Sequence, residues 1–182
     1  MNGWTAIVPL KMGAMSKSRL TSLSEPGARE ALAAEMARRV ISCLSTLSAI
    51  DRTVLLSPAP LADCNAIWMR DEGRGLNAEI ASARDALAPA SIAIIFADLP
   101  MLTSADVDAL LKSAADGGAI APDRHGSGTN ALALVDPAGF DFHFGTDSFA
   151  RHRAQRARLA VVRMPGLAND LDTPQDLRLF TQ

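Results

Sequence analysis

Apolar runs alternate along this chain with stretches whose apolar residues return every three or four positions, and that alternation predicts an α/β protein. Trp4-Thr5-Ala6-Ile7-Val8-Pro9 reads as a first strand that stops at Pro9. From Gly27 to about Ser48 the pattern is helical, with Leu32, Met36, Val40, Leu44 and Leu47 on one stripe and Glu30, Glu35, Arg38 and Arg39 off it. Met36 and Cys43 are core residues in this reading. Thr53 to Ser57 is a second strand, halted by Pro58 and Pro60. Strand, helix and strand in this order predict a right-handed parallel crossover. Asn65 to Met69 suggests a third short strand, and a polar turn over 70–75 leads through Leu76-Asn77 into a helix ending near Leu87. Ser91 to Ala97 is the next strand. Thr103-Ser104-Ala105-Asp106 opens a helix with Val107, Leu110 and Leu111 inward. Gly118 to Pro122 and Ala131 to Val135 are strands on either side of a Gly-rich stretch. Alternating Phe142 and Phe144 suggest a short strand before a helix that runs to about Arg156. Ala160 to Met164 reads as a last strand, and a final helix begins near Pro174.

One stretch organises the rest. Ile94-Ile95-Phe96-Ala97 ends abruptly on Asp98, and Pro100 follows. Asp is rare inside strands and Pro removes a ladder donor, so Asp98 falls at the carboxyl end of a buried strand. Ligands of open α/β sheets collect at that edge. A carboxylate there suits a hard cation such as Mg²⁺, which in turn holds phosphate oxygens. The competing role is a turn-forming Asp that caps the next helix, for which Ser104 is the better cap.

Other candidates lie in loops. Leu10 to Leu20 carries Lys11, Lys17 and Arg19 directly after the first strand, where phosphates are often met. It has no Walker pattern and Gly13 stands alone, so a solvated basic loop is the alternative. Gly75 allows close backbone approach ahead of a helix start, although most such glycines merely turn. The stretch 123–130, with Gly126, Gly128, Thr129 and Asn130, either closes over a phosphate through backbone donors or serves as a hairpin-like connection. His125 reads as a loop histidine. Gly145 and Ser148 sit at a helix start, where an anion and a simple cap are both compatible with the sequence. Asp170 and Asp172, two apart, point the same way in an extended segment and suit a shared cation, or else Asp172 or Thr173 caps the final helix.

Composition narrows the function classes. The chain has 182 residues, 48% hydrophobic and 21% charged, with formal net charge -2. That suits one domain over 1–182 and excludes a protein that coats nucleic acid, so anion binding must be local. Two cysteines, Cys43 and Cys64, are too few for a disulfide framework and point to a reducing compartment. No apolar run is long enough to cross a bilayer and no leader pattern is visible, so a cytoplasmic protein is expected.

Taken in order, the Lys11…Ser16-Lys17-Ser18-Arg19-Leu20 loop, Gly75-Leu76-Asn77, Ala97-Asp98-Leu99-Pro100, Gly128-Thr129-Asn130-Ala131-Leu132, Phe144-Gly145 with Ser148-Phe149 and His152, and Asp170-Leu171-Asp172-Thr173-Pro174 resemble the 2-phospho-L-lactate guanylyltransferase family of coenzyme F-420 biosynthesis. The resemblance runs over nearly the whole chain. Ser16 departs from it, since the family usually has Ala there. The resemblance implies a three-layer nucleotidyltransferase fold with a central, mostly parallel mixed sheet. It implies GTP, a small phosphorylated acid and Mg²⁺ as partners, with the acceptor being phospholactate, phosphoenolpyruvate or 3-phosphoglycerate. By similarity Asp98 and one or both of Asp170 and Asp172 would hold the metal. Lys11, Lys17 and Arg19 would meet the triphosphate, and Gly75 and Asn77 would lie near the guanosine. Thr129, Asn130, Gly145 and Ser148 would hold the acceptor phosphate. A homodimer is compatible with the sequence. The alternatives are a nucleotidyltransferase of molybdopterin type, disfavoured by the lone Gly13, and a non-catalytic nucleotide-binding regulator.

Overall fold

A computed structural model describes residues 3–11 and 26–171. Its elements run in the order β1 (Trp4–Pro9), α1 (Pro26–Ser45), β2 (Ile50–Ser57), β3 (Ile67–Arg70), α2 (Leu76–Leu87), β4 (Ser91–Ile95), α3 (Ser104–Ser113), β5 (Gly118–Pro122), β6 (Thr129–Val135), α4 (Ser148–Gln155), β7 (Ala160–Val161) and α5 (Pro165–Ala168). The strands form one sheet in the order β3-β2-β1-β4-β6-β5-β7. β2, β1 and β4 are mutually parallel, as the crossover pattern predicts, and β6 alone runs against both its neighbours.

The side-chain period of two divides the sheet residues between two cores. Ala6, Ala93, Ala119, Ala121, Ala131 and Ala133 face the side covered by α1 and α3. Ile7, Ile92, Ile94, Ile120, Leu132 and Leu134 face the side covered by α2 and by Phe140, Phe142 and Phe144. The alanine face lets two long helices sit close, whereas the branched face needs only one helix because three phenylalanine rings fill the remaining space. The rings pack at centroid distances of 5.6 Å (Phe140–Phe142) and 6.1 Å (Phe142–Phe144).

Two sequence expectations shift here, and a third stretch takes one of its two open readings. The segment with alternating Phe is not a strand. Its backbone groups are taken by side chains: His143 N–H donates to His152, Phe144 N–H to Asn77 Oδ1, and Phe144 C=O accepts from Asn77 Nδ2. The last strand shrinks to Ala160–Val161: its ladder ends with the bond from Val162 N–H to Ile120 C=O, and Pro165 then opens α5. The stretch after β5 is a hairpin connection tied by its own Asp123, whose Oδ1 accepts from Ser127 N–H and whose N–H donates to Gly128 C=O. The expected helix near Pro174 lies outside the described residues.

Candidate active site

The carboxyl end of β4 is built to project Asp98. Phe96 N–H still donates to Asn130 C=O of β6, and the chain then turns over Ala97 and Asp98. The next helix has its own cap. Thr103 accepts from Asp106 N–H, and Asp106 Oδ2 accepts from Thr103 N–H at 2.9 Å, a reciprocal capping box. The cap is thus Thr103, one residue before the expected Ser104, and Asp98 has no capping duty on α3. Asp98 is half-buried, with its Oδ1 shut off from solvent.

The late acidic segment is delivered to the same turn. Leu171 N–H donates to Asp98 C=O at 2.9 Å, which sets Asp170 beside the β4 turn. Two devices fix this approach. Asn130 Nδ2 donates to Leu167 C=O and Ala168 C=O at 3.0 and 3.3 Å, pinning α5 to the start of β6. Gly166 sits where a Cβ would meet Asp106 Oδ2 and, at 2.6 Å, Met101 C=O. Asp172 lies outside the described residues, so the expected metal set is described at Asp98 and Asp170 alone.

Lys11 reaches the same edge. Lys11 follows the carboxyl end of β1, which pairs in parallel with β4, so it leaves the sheet at the edge that carries Asp98. Lys11 is exposed. Lys17 and Arg19 lie outside the described residues.

On the other flank, β6 runs antiparallel, so its first residues, Thr129 and Asn130, arrive at this edge instead of its last. Both are buried. The Asn130 amide nitrogen ties β6 to α5. Thr129 Oγ1 lies 3.1 Å from Ser148 Oγ and 3.2 Å from His152 Nδ1. His152 Nε2 accepts from His143 N–H at 2.9 Å. Gly145 has φ near +120°, and a Cβ there would meet nothing within 4 Å. It is exposed, one turn ahead of Ser148, whose N–H donates to Gly145 C=O at 3.2 Å. α4 starts on Asp147, which makes no side-chain cap bond. Of its first-turn N–H groups, Ser148 donates to Gly145 C=O, Phe149 to Ser127 C=O and Arg151 to Asp147 C=O.

The third flank is the loop into α2. Glu79, 1% exposed, gathers it. Its Oε1 accepts from Glu72 N–H and Arg74 N–H at 3.1 and 2.9 Å and from Arg74 Nε at 3.0 Å, while Oε2 accepts from Arg74 Nη2 at 2.8 Å. Those hydrogen bonds from Arg74 hold the Glu79 carboxyl well down, at about 2. Gly75, at φ 95°, bends the chain into the helix and makes no side-chain cap bond. Asn77 reaches across to the backbone of Phe144, accepting from its N–H at 2.7 Å and donating to its C=O at 3.1 Å. Its amide is thus a strut between the two loops.

The structure therefore draws Lys11, Asp98, Asp170, Thr129, Asn130, Gly145, Ser148, Gly75 and Asn77 to one sheet edge. A cavity of about 460 Å³ opens at the opposite edge, lined by Asp51, Arg52, Cys64 and Asn65 among others, and none of these site residues lines it.

Residues 4–179 match the model of a family described as guanylyl transferase, CofC like. The chain belongs to this guanylyl transferase family. Two relatives named phosphoenolpyruvate guanylyltransferase agree along nearly their whole length. That of Sphaerobacter thermophilus is 38% identical, with 94% of this chain and 89% of the relative covered, and that of Rubrobacter xylanophilus is 39% identical, with 94% and 90% covered. Among solved structures, a Methanothermobacter nucleotidyl transferase superposes with TM-score 0.69 at 15% identity over 100% of this chain and 97% of that one. A 4-diphosphocytidyl-2C-methyl-D-erythritol synthase from Anaerococcus prevotii gives 0.64 at 11%, covering 98% and 96%. The fold is that of the nucleotidyltransferases, and as a guanylyl transferase family member the chain is an enzyme. Among the described residues no helix is long and apolar enough to cross a membrane.

Sequence reasoning had no view of Glu79 or Gly166, and it met His152 only through the family resemblance. An acid four positions into a helix, behind an Arg-containing turn, is the local signal that could have pointed to the Glu79 clamp.

Proposed function

We propose that this chain transfers the guanylyl group of GTP to the phosphate of a small phospho-acid, phosphoenolpyruvate foremost, releasing pyrophosphate within coenzyme F-420 biosynthesis. The observation that carries the reading is the gathering, at one sheet edge, of a lysine, an acidic pair and a hydroxyl pair beside the open corner at Gly145, in a guanylyl transferase fold. The choice of phosphoenolpyruvate rests on the two relatives that bear that name.

In this mechanism an acceptor phosphate oxygen bonds to the α-phosphorus of GTP. The bond from that phosphorus to the bridging oxygen breaks, and pyrophosphate leaves with the electron pair. The acceptor is already ionised near neutral pH, so the step needs no general base. Two polyanions must nevertheless be brought together. Lys11, with Lys17 and Arg19 from the same loop, offsets the charge of the triphosphate. Thr129, Ser148 and the amides after Gly145 hold the acceptor phosphate opposite it. The donor set of Asp98 with Asp170, and Asp172 in sequence behind it, is all hard oxygen and fits Mg²⁺. When bound there, Mg²⁺ would supply charge neutralisation for the phosphates.

Pyrophosphate release with GTP and phosphoenolpyruvate, compared with phospholactate and 3-phosphoglycerate and with CTP and ATP in place of GTP, tests the reading. Turnover is expected with GTP and phosphoenolpyruvate. Asp98→Asn should remain folded and lose activity by roughly a thousandfold or more. A preference for CTP, or near-normal release by Asp98→Asn, would overturn it.

A further inference from the structure

One buried group at this edge has no task in the mechanism above. His152 is fully inaccessible, so it meets no substrate. We propose that His152 is a positioning residue that makes the Thr129–Ser148 hydroxyl pair turn one O–H outward to the acceptor anion.

A count of hydrogens leads there. His143 N–H donates to His152 Nε2 at 2.9 Å, so that nitrogen is a lone-pair acceptor. In a neutral ring the proton is then on Nδ1. Nδ1–H donates to Thr129 Oγ1 at 3.2 Å, and Thr129 Oγ1 and Ser148 Oγ share one further bond at 3.1 Å. His152 Nδ1, Thr129 Oγ1 and Ser148 Oγ bring one hydrogen each, and the two contacts consume all but one. A hydroxyl hydrogen is left over for a third party, whichever way the pair is oriented. With the opposite tautomer Thr129 would donate to Nδ1 and Ser148 to Thr129, and no hydrogen would remain. A single backbone N–H, that of His143, thus decides whether the pair offers a donor.

The surroundings keep this arrangement in place. Phe144 stands edge-on to the ring at 4.9 Å and Phe140 lies at 5.8 Å. Burial, with the nearby His143 and Arg151 adding to it, holds the imidazole pKa down at about 4, so the ring is neutral at pH 7. Space for the anion lies alongside, where Gly145 has no atom within 4 Å of a Cβ position. The proposal rests on the acceptor phosphate occupying that corner, as in the function proposed above.

The test compares His152→Phe, which fills the space without a donor, with His152→Asn, whose amide N–H stands close to the Nδ1 position. The Phe variant should raise KM for phosphoenolpyruvate about ten- to a hundredfold while KM for GTP stays within about twofold, and the Asn variant should recover much of the loss. A rise in both KM values together, or an Asn variant no better than Phe, would mean a merely structural histidine and overturn the proposal. A second measurement needs no turnover: proton–nitrogen correlation spectra of histidine-labelled wild-type protein at pH 7. These should show His152 neutral with its proton on Nδ1, and a proton on Nε2 would overturn the hydrogen count. If wild-type protein shows the Nδ1 tautomer yet fails to use phosphoenolpyruvate, the functional reading falls while the orientation of the pair stands.

Discussion

The loop that enters α2 and the loop that enters α4 converge on the same sheet edge, yet they are held by different chemistry. The first is gathered by a full charge: the buried Glu79 carboxylate collects two backbone N–H groups and the fork of Arg74, whose side chain is 51% exposed. The second has no buried carboxylate among its described residues: the Asn77 amide holds Phe144, the His152 ring bridges His143 and Thr129, and the Arg84 guanidinium donates to the carbonyls of Pro137 and Phe140. The difference follows from what each flank must face. A carboxylate can organise the α2 loop because the Arg74 guanidinium covers it. Under the function proposed above, a carboxylate at the floor of the α4 corner would repel an incoming phosphate, whereas a neutral imidazole orients hydroxyls without adding charge of either sign.

The contrast should show most strongly in acid. The folded pKa of His152, about 4, lies below its ordinary 6.5, so the unfolded chain takes the proton first as pH falls. Stability should therefore drop between about pH 6.5 and 4, by as much as about 3 kcal/mol from this group. Urea midpoints of wild type and His152→Phe across that window would check it, and the variant should lack this component.

The ionic side should respond lower. Glu79→Gln should cost about 1–2 kcal/mol at pH 7, the charged hydrogen bonds being discounted because Arg74 is half in water. The folded pKa of Glu79, about 2, is below its ordinary 4.5, so its contribution is present above about pH 4.5 and fades toward pH 2. The gap between wild type and variant in thermal melts should accordingly narrow below pH 4.5. A gap that instead narrowed between pH 6.5 and 4.5 would erase the distinction between the two flanks. The smallest effect is expected at the strut between them. Asn77→Ala should lose about 1 kcal/mol and weaken phosphoenolpyruvate more than GTP, since Phe144 and the Gly145 corner lose their anchor. Steady-state kinetics with each substrate varied in turn would read that split.

What the sequence revealed was local. Asp98 stood out because an apolar run, an acid and a proline are neighbours along the chain, and the helix at Leu76–Leu87 and the strand at Gly118–Pro122 were visible for the same reason. What it concealed depended on distant partners. Asn77 and Phe144 are 67 residues apart, so nothing near Asn77 hints that its amide is already committed. The alternating phenylalanines had the spacing of a strand, but their ladder groups are answered by side chains from α2 and α4. Asn130 looked like a ligand group because it opens a strand at the right edge, and its role as a tether to α5 needs Leu167, 37 residues on. The Thr103 cap was missed by one position because Thr and Ser are nearly equivalent at that chemistry and the reciprocal Asp106 bond decides between them.

Gly166 carries a broader lesson about spacing. With no side-chain carbon, it lets the tail of the molecule lie flush against Met101 and Asp106, and Asp170 comes to rest beside Asp98. A methyl group at this point would act as a wedge, prising two acids apart from several residues away. The spacing of this edge is thus set by an atom that is missing from a residue with no chemistry of its own.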